Sequence, residues 1–216
     1  MRVRGDADTG LTNSGRVKGD FDALPEDFKK LIDVDGSNPD LPLKLDGDVI
    51  RLREPVRVEF DTPALRDNPV EARRQLDLQQ HGLNDLNARH WLGNLNAYTP
   101  GTKRVDPPFH TAVRDALMEL RVQQLKRLGF DDAAAKAAAN LEYDGKALLH
   151  SPDRIAGGDA FGYTGMGDSR INSALGAGWK TRREGLSDSV TRILEDIPPE
   201  MWPNIRLNIE LVGPRP

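Results

Sequence analysis

His150 stands three residues before Asp153, and Asp159 and Asp168 follow within the stretch LLHSPDRIAGGDAFGYTGMGDSRINS. One imidazole and three carboxylates lie among five glycines in that stretch. On a tight turn, residues three apart point to one locus. A His and an Asp placed so could share a divalent metal, or the Asp could orient the imidazole as a general base. Asp159 and Asp168 would add the oxygen ligands that a hydrolytic metal centre needs. A histidine at a helix end, interacting with the helix dipole, is the structural alternative. Spacing alone leaves these readings open.

The glycines fit no nucleotide-binding fingerprint. Gly165-Met-Gly167 is followed by Asp168-Ser-Arg170, where a dinucleotide site needs a third glycine. GWKT at 178–181 puts Trp179 where a Walker loop continues from Gly to Lys. Glycine backbone can still approach a phosphate oxygen closely, or simply form a turn-rich loop. There is no His-Glu-x-x-His and no Gly-x-Ser-x-Gly, so zincin and serine-hydrolase readings find no motif. DVDGSNPD at 33–40 has the look of a calcium loop, but Gly36 falls at its fourth position, where the loop needs glycine at the sixth, and the closing Glu is missing. His81, His90 and His110 read as surface or satisfied-core residues. Trp91, Trp179 and Trp202 read as packing, with Trp179 the one placed to stack on a base.

The chain has 216 residues, 38% hydrophobic and 30% charged, and no cysteine. Disulfides, thiolate zinc sites and thiol nucleophiles are therefore excluded. No apolar run approaches the roughly 20 residues that span a bilayer. The start, Met-Arg-Val-Arg-Gly-Asp, lacks the apolar stretch of a secretory signal. Export would need another device, or a longer chain of which this is a fragment. The net charge of −4 resides in residues 1–62, with ten Lys/Arg against fourteen Asp/Glu, while the remainder is balanced. Arg170, Lys180, Arg182, Arg183 and Arg192 outnumber Glu184 and Asp188 across 170–192. That stretch is a candidate phosphate-binding face or an ordinary solvated helix surface.

The elements that must position these residues read as follows. Residues 1–48 are rich in Gly, Asp and Pro and suggest a loosely packed lead-in, with FDALPEDFKKLI as one short helix. Val56, Val58 and Phe60 alternate as in a strand that Pro55 would start, and Ile205, Leu207, Ile209 and Leu211 alternate more cleanly. These two segments are expected to pair and frame the domain. Between them the pattern is helical. Leu76, Leu83, Leu86 and Leu95 mark one stripe, with Gly82 a break; Val113, Ala116, Leu117, Leu120 and Leu128 mark another. An Ala-rich helix capped by Asp131 leads into His150-Ser-Pro-Asp153, whose Pro152 disfavours further helix. A last helix starts at Ser187 or Asp188 and stops at Pro198-Pro199. The expected fold is mainly α, with a few short β-strands near its ends. The expected division is a lead-in over 1–55 and a main domain over 56–216.

Several blocks in order resemble the polymorphic toxin type 15 domain, the nuclease domain of type VI DNase effectors. They are VEF with a following Pro, RRQLDLQQHGLNDLNARHWLGN, ALLHSPDRIAGGD with its His-x-x-Asp, and TGMGDSRINSALGAGWKTR. The resemblance runs from about Val56 to Val212. Family members often read Ser-Ile-Gly-Ser-Gln-Trp where this chain has ALGAGW, so Gly178 replaces a polar side chain beside Trp179. The resemblance implies a largely helical nuclease toxin used between bacteria, with His150 and Asp153 essential. It implies DNA as substrate, export by a specialised secretion system with a carrier, action in the target-cell cytoplasm, and a cognate immunity protein. The chemistry it suggests is phosphodiester hydrolysis. Magnesium would be held by Asp153 with Asp168 or Asp159, and His150 would activate water or ligate the metal. Arg170, Asn172, Lys180 and Arg182 would hold the substrate. A ribonuclease using the 2′-OH, and a non-enzymatic helical interaction module, are the alternatives.

Overall fold

The computed structural model describes residues 21, 23–99, 107–159 and 161–215. Its elements run α1 (Glu26–Lys29), β1 (Ile32–Asp33), β2 (Leu43–Asp46), β3 (Val49–Leu52), β4 (Val56–Glu59), α2 (Pro63–Asp67), α3 (Pro69–Asp85), α4 (Ala88–Ala97), α5 (Pro107–Arg127), α6 (Asp132–Tyr143), β5 (Lys146–His150), β6 (Tyr163–Asp168), α7 (Ser169–Leu194), β7 (Ile205–Arg206) and β8 (Ile209–Val212). Short 3-10 turns cover Arg154–Ala156 and Pro199–Asn204. The fold is mainly α with a few short strands.

The two alternating segments do pair. β4 and β8 lie parallel, with Val56 opposite Ile209 and Val58 opposite Leu211. Ile205, Leu207, Ile209 and Leu211 are all buried. The tail divides its pairing: β7 adds to the sheet β1-β2-β3, and β8 pairs with β4. The free side of β8 would leave backbone groups unsatisfied. One face of α3 supplies the partners. Asn84 accepts from the Ile209 N–H and donates to its carbonyl, Gln80 accepts from the Leu211 N–H at 2.7 Å, and Arg73 donates to the Leu211 carbonyl. Three polar residues of the RRQLDLQQHGLNDLN block, Arg73, Gln80 and Asn84, are spent this way.

The described part of the expected lead-in packs on the main core. Phe28, Ile32, Leu43, Ile50 and Leu52 are buried there with Trp91, Leu175 and Trp179. Its strands are only two to four residues long, too short to stand out from the Gly/Asp/Pro background. Residues 1–20 lie outside the described set. The DVDGSNPD segment spends two of its carboxylates, Asp33 and Asp35, on itself and on Arg53. Asp33 accepts from Gly36 and Asn38 N–H groups and pairs with Arg53, and Asp35 accepts from Ser37. The Arg53 guanidinium beside Asp33 holds its carboxyl below the usual range.

Four expectations about the helices are corrected. Gly82 does not break α3, which continues to Asp85. It marks a close approach: a Cβ there would lie 2.7 Å from the Ser151 carbonyl carbon and the Pro152 nitrogen. On α5 the buried stripe is Val122 and Leu125, packed on Ala135 and Ala139 of α6, while Leu120 and Leu128 are exposed. The small alanine face of α6 selects which side of α5 is covered. No helix begins at Ser187 or Asp188. α7 is continuous over 26 residues from its cap at Asp168, whose side chain accepts from the Arg170 and Ile171 N–H groups. Gly178, within this helix, lies against Phe60, where a Cβ would be 2.9 Å from the ring. Finally, the Ala-rich helix ends at Tyr143, and His150 closes strand β5 instead. The Asp131 cap itself is present, accepting from the Ala134 N–H.

Candidate active site

β5 and β6 form an antiparallel hairpin in the middle of the chain, Lys146 opposite Asp168 and His150 opposite Tyr163. The register shifts between Leu149 and His150. Such a bulge bends a strand and re-aims the side chain beside it. The His150 ring lies 4.3 Å from the Tyr163 ring at 44°. From His150 the chain enters the Ser151–Gly158 turn, which two helices hold. Ser151 Oγ donates to the Leu78 carbonyl of α3. Trp91 of α4, fully buried, donates to the Ala156 carbonyl at 2.8 Å, and Asn94 donates to the Gly157 carbonyl at 3.0 Å. Gly157 has φ of 92° and sits where a Cβ would strike the Trp91 indole at 2.7 Å, so both the backbone and the space require glycine.

Asp153 caps the 3-10 turn. Its Oδ1 accepts from the Ile155 N–H at 2.8 Å, and its carbonyl accepts from Ala156 and Gly158. Its Oδ2 reaches α7 at Gly176, 3.5 Å from where a Cβ would stand. His150 and Asp153 line one cleft of about 420 Å³ together with His110, Arg154, Tyr163, Asn172, Ser173 and Lys180. The sequence pair thus converges, and Asn172 and Lys180 join it from α7.

Other expected site residues lie elsewhere. Asp168 is opposite Lys146, at the far end of the hairpin from His150, with its Oδ1 committed to capping α7. Asp159 accepts from the Phe161 N–H at 2.7 Å in the loop before β6 and does not line the cleft. Arg170 pairs with Asp67. Arg182 donates to the Glu59 carbonyl and lies 4.9 Å over the Phe60 ring. Arg183 donates to the Leu95 carbonyl and lies over Tyr98. The basic face read at 170–192 is therefore mostly spent on packing, because guanidinium groups cap carbonyls and cover rings well. Trp179 is buried, donates to Gln79 and packs edge-on against Phe60, so it is unavailable to a base. Gly178 faces the same ring and lies outside the cleft.

Sequence reasoning missed His110, Arg154 and Tyr163. His110 comes from the first turn of α5, with its ring 5.8 Å from Tyr163. Nothing in the sequence links it to a histidine forty positions away; only the fold brings both to one phenol ring. Arg114 of the same helix donates to the Lys146 and Tyr143 carbonyls, which seats α5 on the hairpin.

At the other end of the hairpin a carboxylate acts as a buckle. Glu71 of α3 accepts from Arg74, from Gln75 and from the Asp168 backbone N–H. The Arg74 hydrogen bond, then those of Gln75 and Asp168, hold its carboxyl down at about 2 against partial burial. Gln75 also donates to the Asp168 carbonyl at 3.1 Å.

The Novel toxin 15 family profile matches residues 68–208, well over half of the chain. The chain belongs to the Novel toxin 15 family. The match takes in α3, the clamped turn, the hairpin and α7, so the whole cleft lies inside it. Comparison with curated proteins returns no match.

For a divalent metal the cleft offers the Asp153 carboxylate, imidazoles and the Asn172 amide. Among the described residues no group of three or more His, Asp or Glu could hold a metal ion, so a cage of protein ligands is not formed there. Magnesium differs in its needs: it keeps several waters and binds through one or two carboxylates plus substrate phosphates. A set led by Asp153 fits that demand.

Proposed function

We propose that this toxin is a nuclease that hydrolyses DNA phosphodiester bonds, with His150 and Asp153 at its reacting centre. The observation that carries the reading is one cleft lined by an imidazole, a carboxylate and the cationic side chains of Arg154 and Lys180. Phosphodiester hydrolysis needs an activated water and neutralisation of the charge on the phosphate oxygens. His150, at the register shift of the hairpin and backed by Tyr163, takes a proton from the attacking water. Arg154 and Lys180 hold the phosphate, and Asn172 donates to it. Asp153 would hold magnesium, which supplies Lewis-acid stabilisation when bound. Its capped, turn-locked backbone fixes that carboxylate before substrate arrives. In a bacterial setting the toxin would be exported by a specialised secretion system on a carrier, act in the target cytoplasm, and be restrained in the producer by an immunity protein.

A ribonuclease reading has its own support in His110. Two imidazoles flank Tyr163, at 4.3 and 5.8 Å. Such a pair can serve as base and acid when the 2′-OH is the nucleophile, with no metal required. Incubation of the purified chain with plasmid DNA and with total RNA, in magnesium and in EDTA, decides between them. Magnesium-dependent nicking of DNA is expected. RNA cleavage that persists in EDTA, with DNA untouched, would replace the DNase reading, and cleavage of neither would remove both.

A further inference from the structure

The reacting cleft continues into a line of aromatic rings. Tyr163, 4.3 Å from His150, is followed by Phe109 at 6.1 Å and Phe161 a further 5.2 Å on, edge-to-face at 88°. Phe109 is 39% exposed and Phe161 57% exposed. Neither belongs to either hydrophobic core. The rings come from the first turn of α5 and from the segment entering β6, so two separate elements present them together. Leaving two phenylalanines in water beside a polar cleft forgoes burial that the fold could have used, and such patches mark binding sites. Leu120, Leu128, Phe130 and Leu141 are also exposed on or between α5 and α6, but no ring contact ties any of them to Tyr163, the ring that lines the cleft, as Phe109 is tied.

We propose that Phe109 and Phe161, with Tyr163 behind them, form a stacking subsite for unpaired bases, which makes a single-stranded polynucleotide the preferred substrate of the neighbouring centre. The proposal rests on the nuclease reading. Its occupant follows from continuity with the cleft: a strand whose phosphate sits between Arg154 and Lys180 carries its next bases past the ridge. Every base has a π-face, so aromatic rings hold a strand without reading its sequence. In a duplex those faces are covered by neighbouring base pairs and cannot reach the rings. Protein partners would favour a broader apolar surface than two rings at the rim of a basic cleft.

The test separates binding from cleavage. Fluorescence anisotropy in EDTA, so that nothing is cut, compares a labelled single strand, the same strand with abasic positions, and the blunt duplex. The wild-type chain is expected to bind the single strand at least about tenfold more tightly than the duplex. Phe161→Ala is expected to weaken strand binding by about fivefold or more, to leave the abasic strand unaffected, and to be rescued by Phe161→Tyr. An unchanged strand affinity in Phe161→Ala, or an equal loss on the abasic strand, overturns the proposal and leaves the ridge as a protein-docking face. A wild-type chain that shows the expected binding pattern but cuts no nucleic acid in magnesium sinks the nuclease reading while the subsite stands.

Discussion

Replacing Gly82 by alanine should separate activity from stability. The added methyl would sit 2.7 Å from backbone atoms of Ser151 and Pro152, where ordinary contact begins at 3.4 Å. The turn that carries Asp153 would have to move by roughly 0.7 Å, because α3 is pinned by its bonds to β8. Overpacking of this kind costs about 1–3 kcal/mol. Alanine in place of glycine inside a helix returns about 1 kcal/mol. The net loss is therefore about 0–2 kcal/mol, a fall in melting temperature of no more than about 8 °C for a chain of this size. The rate should suffer far more. A misplacement near 1 Å costs on the order of a hundredfold, so a fall of about 10- to 100-fold in initial nicking rate is expected. Gly93→Ala, on an exposed part of α4 with nothing within 4 Å of the new methyl, is the matched control and should leave the rate unchanged. Plasmid nicking at 25 °C, alongside thermal unfolding followed by circular dichroism, reads both quantities. A Gly82→Ala chain that nicks at the wild-type rate would refute the claim that α3 sets the position of the Asp153 turn.

Three further outcomes follow from the packing. Glu71 has a folded pKa of about 2 against an ordinary 4.5, so its contribution is complete above about pH 4.5 and drains away as pH falls through about 2. At this partly exposed site, with solvent screening allowed for, it amounts to on the order of 1–2 kcal/mol; the urea midpoint of the wild type should fall over that window, and the Glu71→Gln chain should lose that part of the slope. Gly178→Gln should destabilise by about 1–3 kcal/mol through Phe60 and leave nicking at 25 °C intact. Trp91→Phe deprives the Ala156 carbonyl of its donor, and should cost about 1–3 kcal/mol in urea unfolding as well as slowing nicking.

Much of the frame was legible because its signals are local. Alternation at Val56–Phe60 and Ile205–Leu211 marked extended segments, and the pairing expected of them holds for the half of the tail from Ile209, while Ile205 pairs with Ile50 of β3. Asp131 declared a helix start by its side-chain chemistry. Gly82 misled, because glycine serves both as a breaker and as a close-packing point. Gly82 and Gly178 sit inside continuous helices, and only tertiary contact with Pro152 and Phe60 explains them. Strands of two to four residues in the N-terminal segment escaped notice, since their burial depends on a partner strand at the other end of the chain. At the candidate site, spacing and resemblance together pointed to His150 and Asp153, and the two share one cleft. His110 and Tyr163 could not be found from spacing, because they meet across a hairpin and a separate helix. Charge counting overstated the basic face, since it does not distinguish Lys180 in the cleft from Arg182 lying on Phe60.

The most direct measurement is plasmid nicking in magnesium by the His150→Ala and Asp153→Asn chains, with folding checked by circular dichroism. Asparagine retains an oxygen that can accept from the Ile155 N–H, so the turn keeps its cap while the charge is lost. Both chains should fold as the wild type and lose cleavage by about a hundredfold or more. Wild-type nicking by His150→Ala would contradict the assignment of this cleft as the reacting centre.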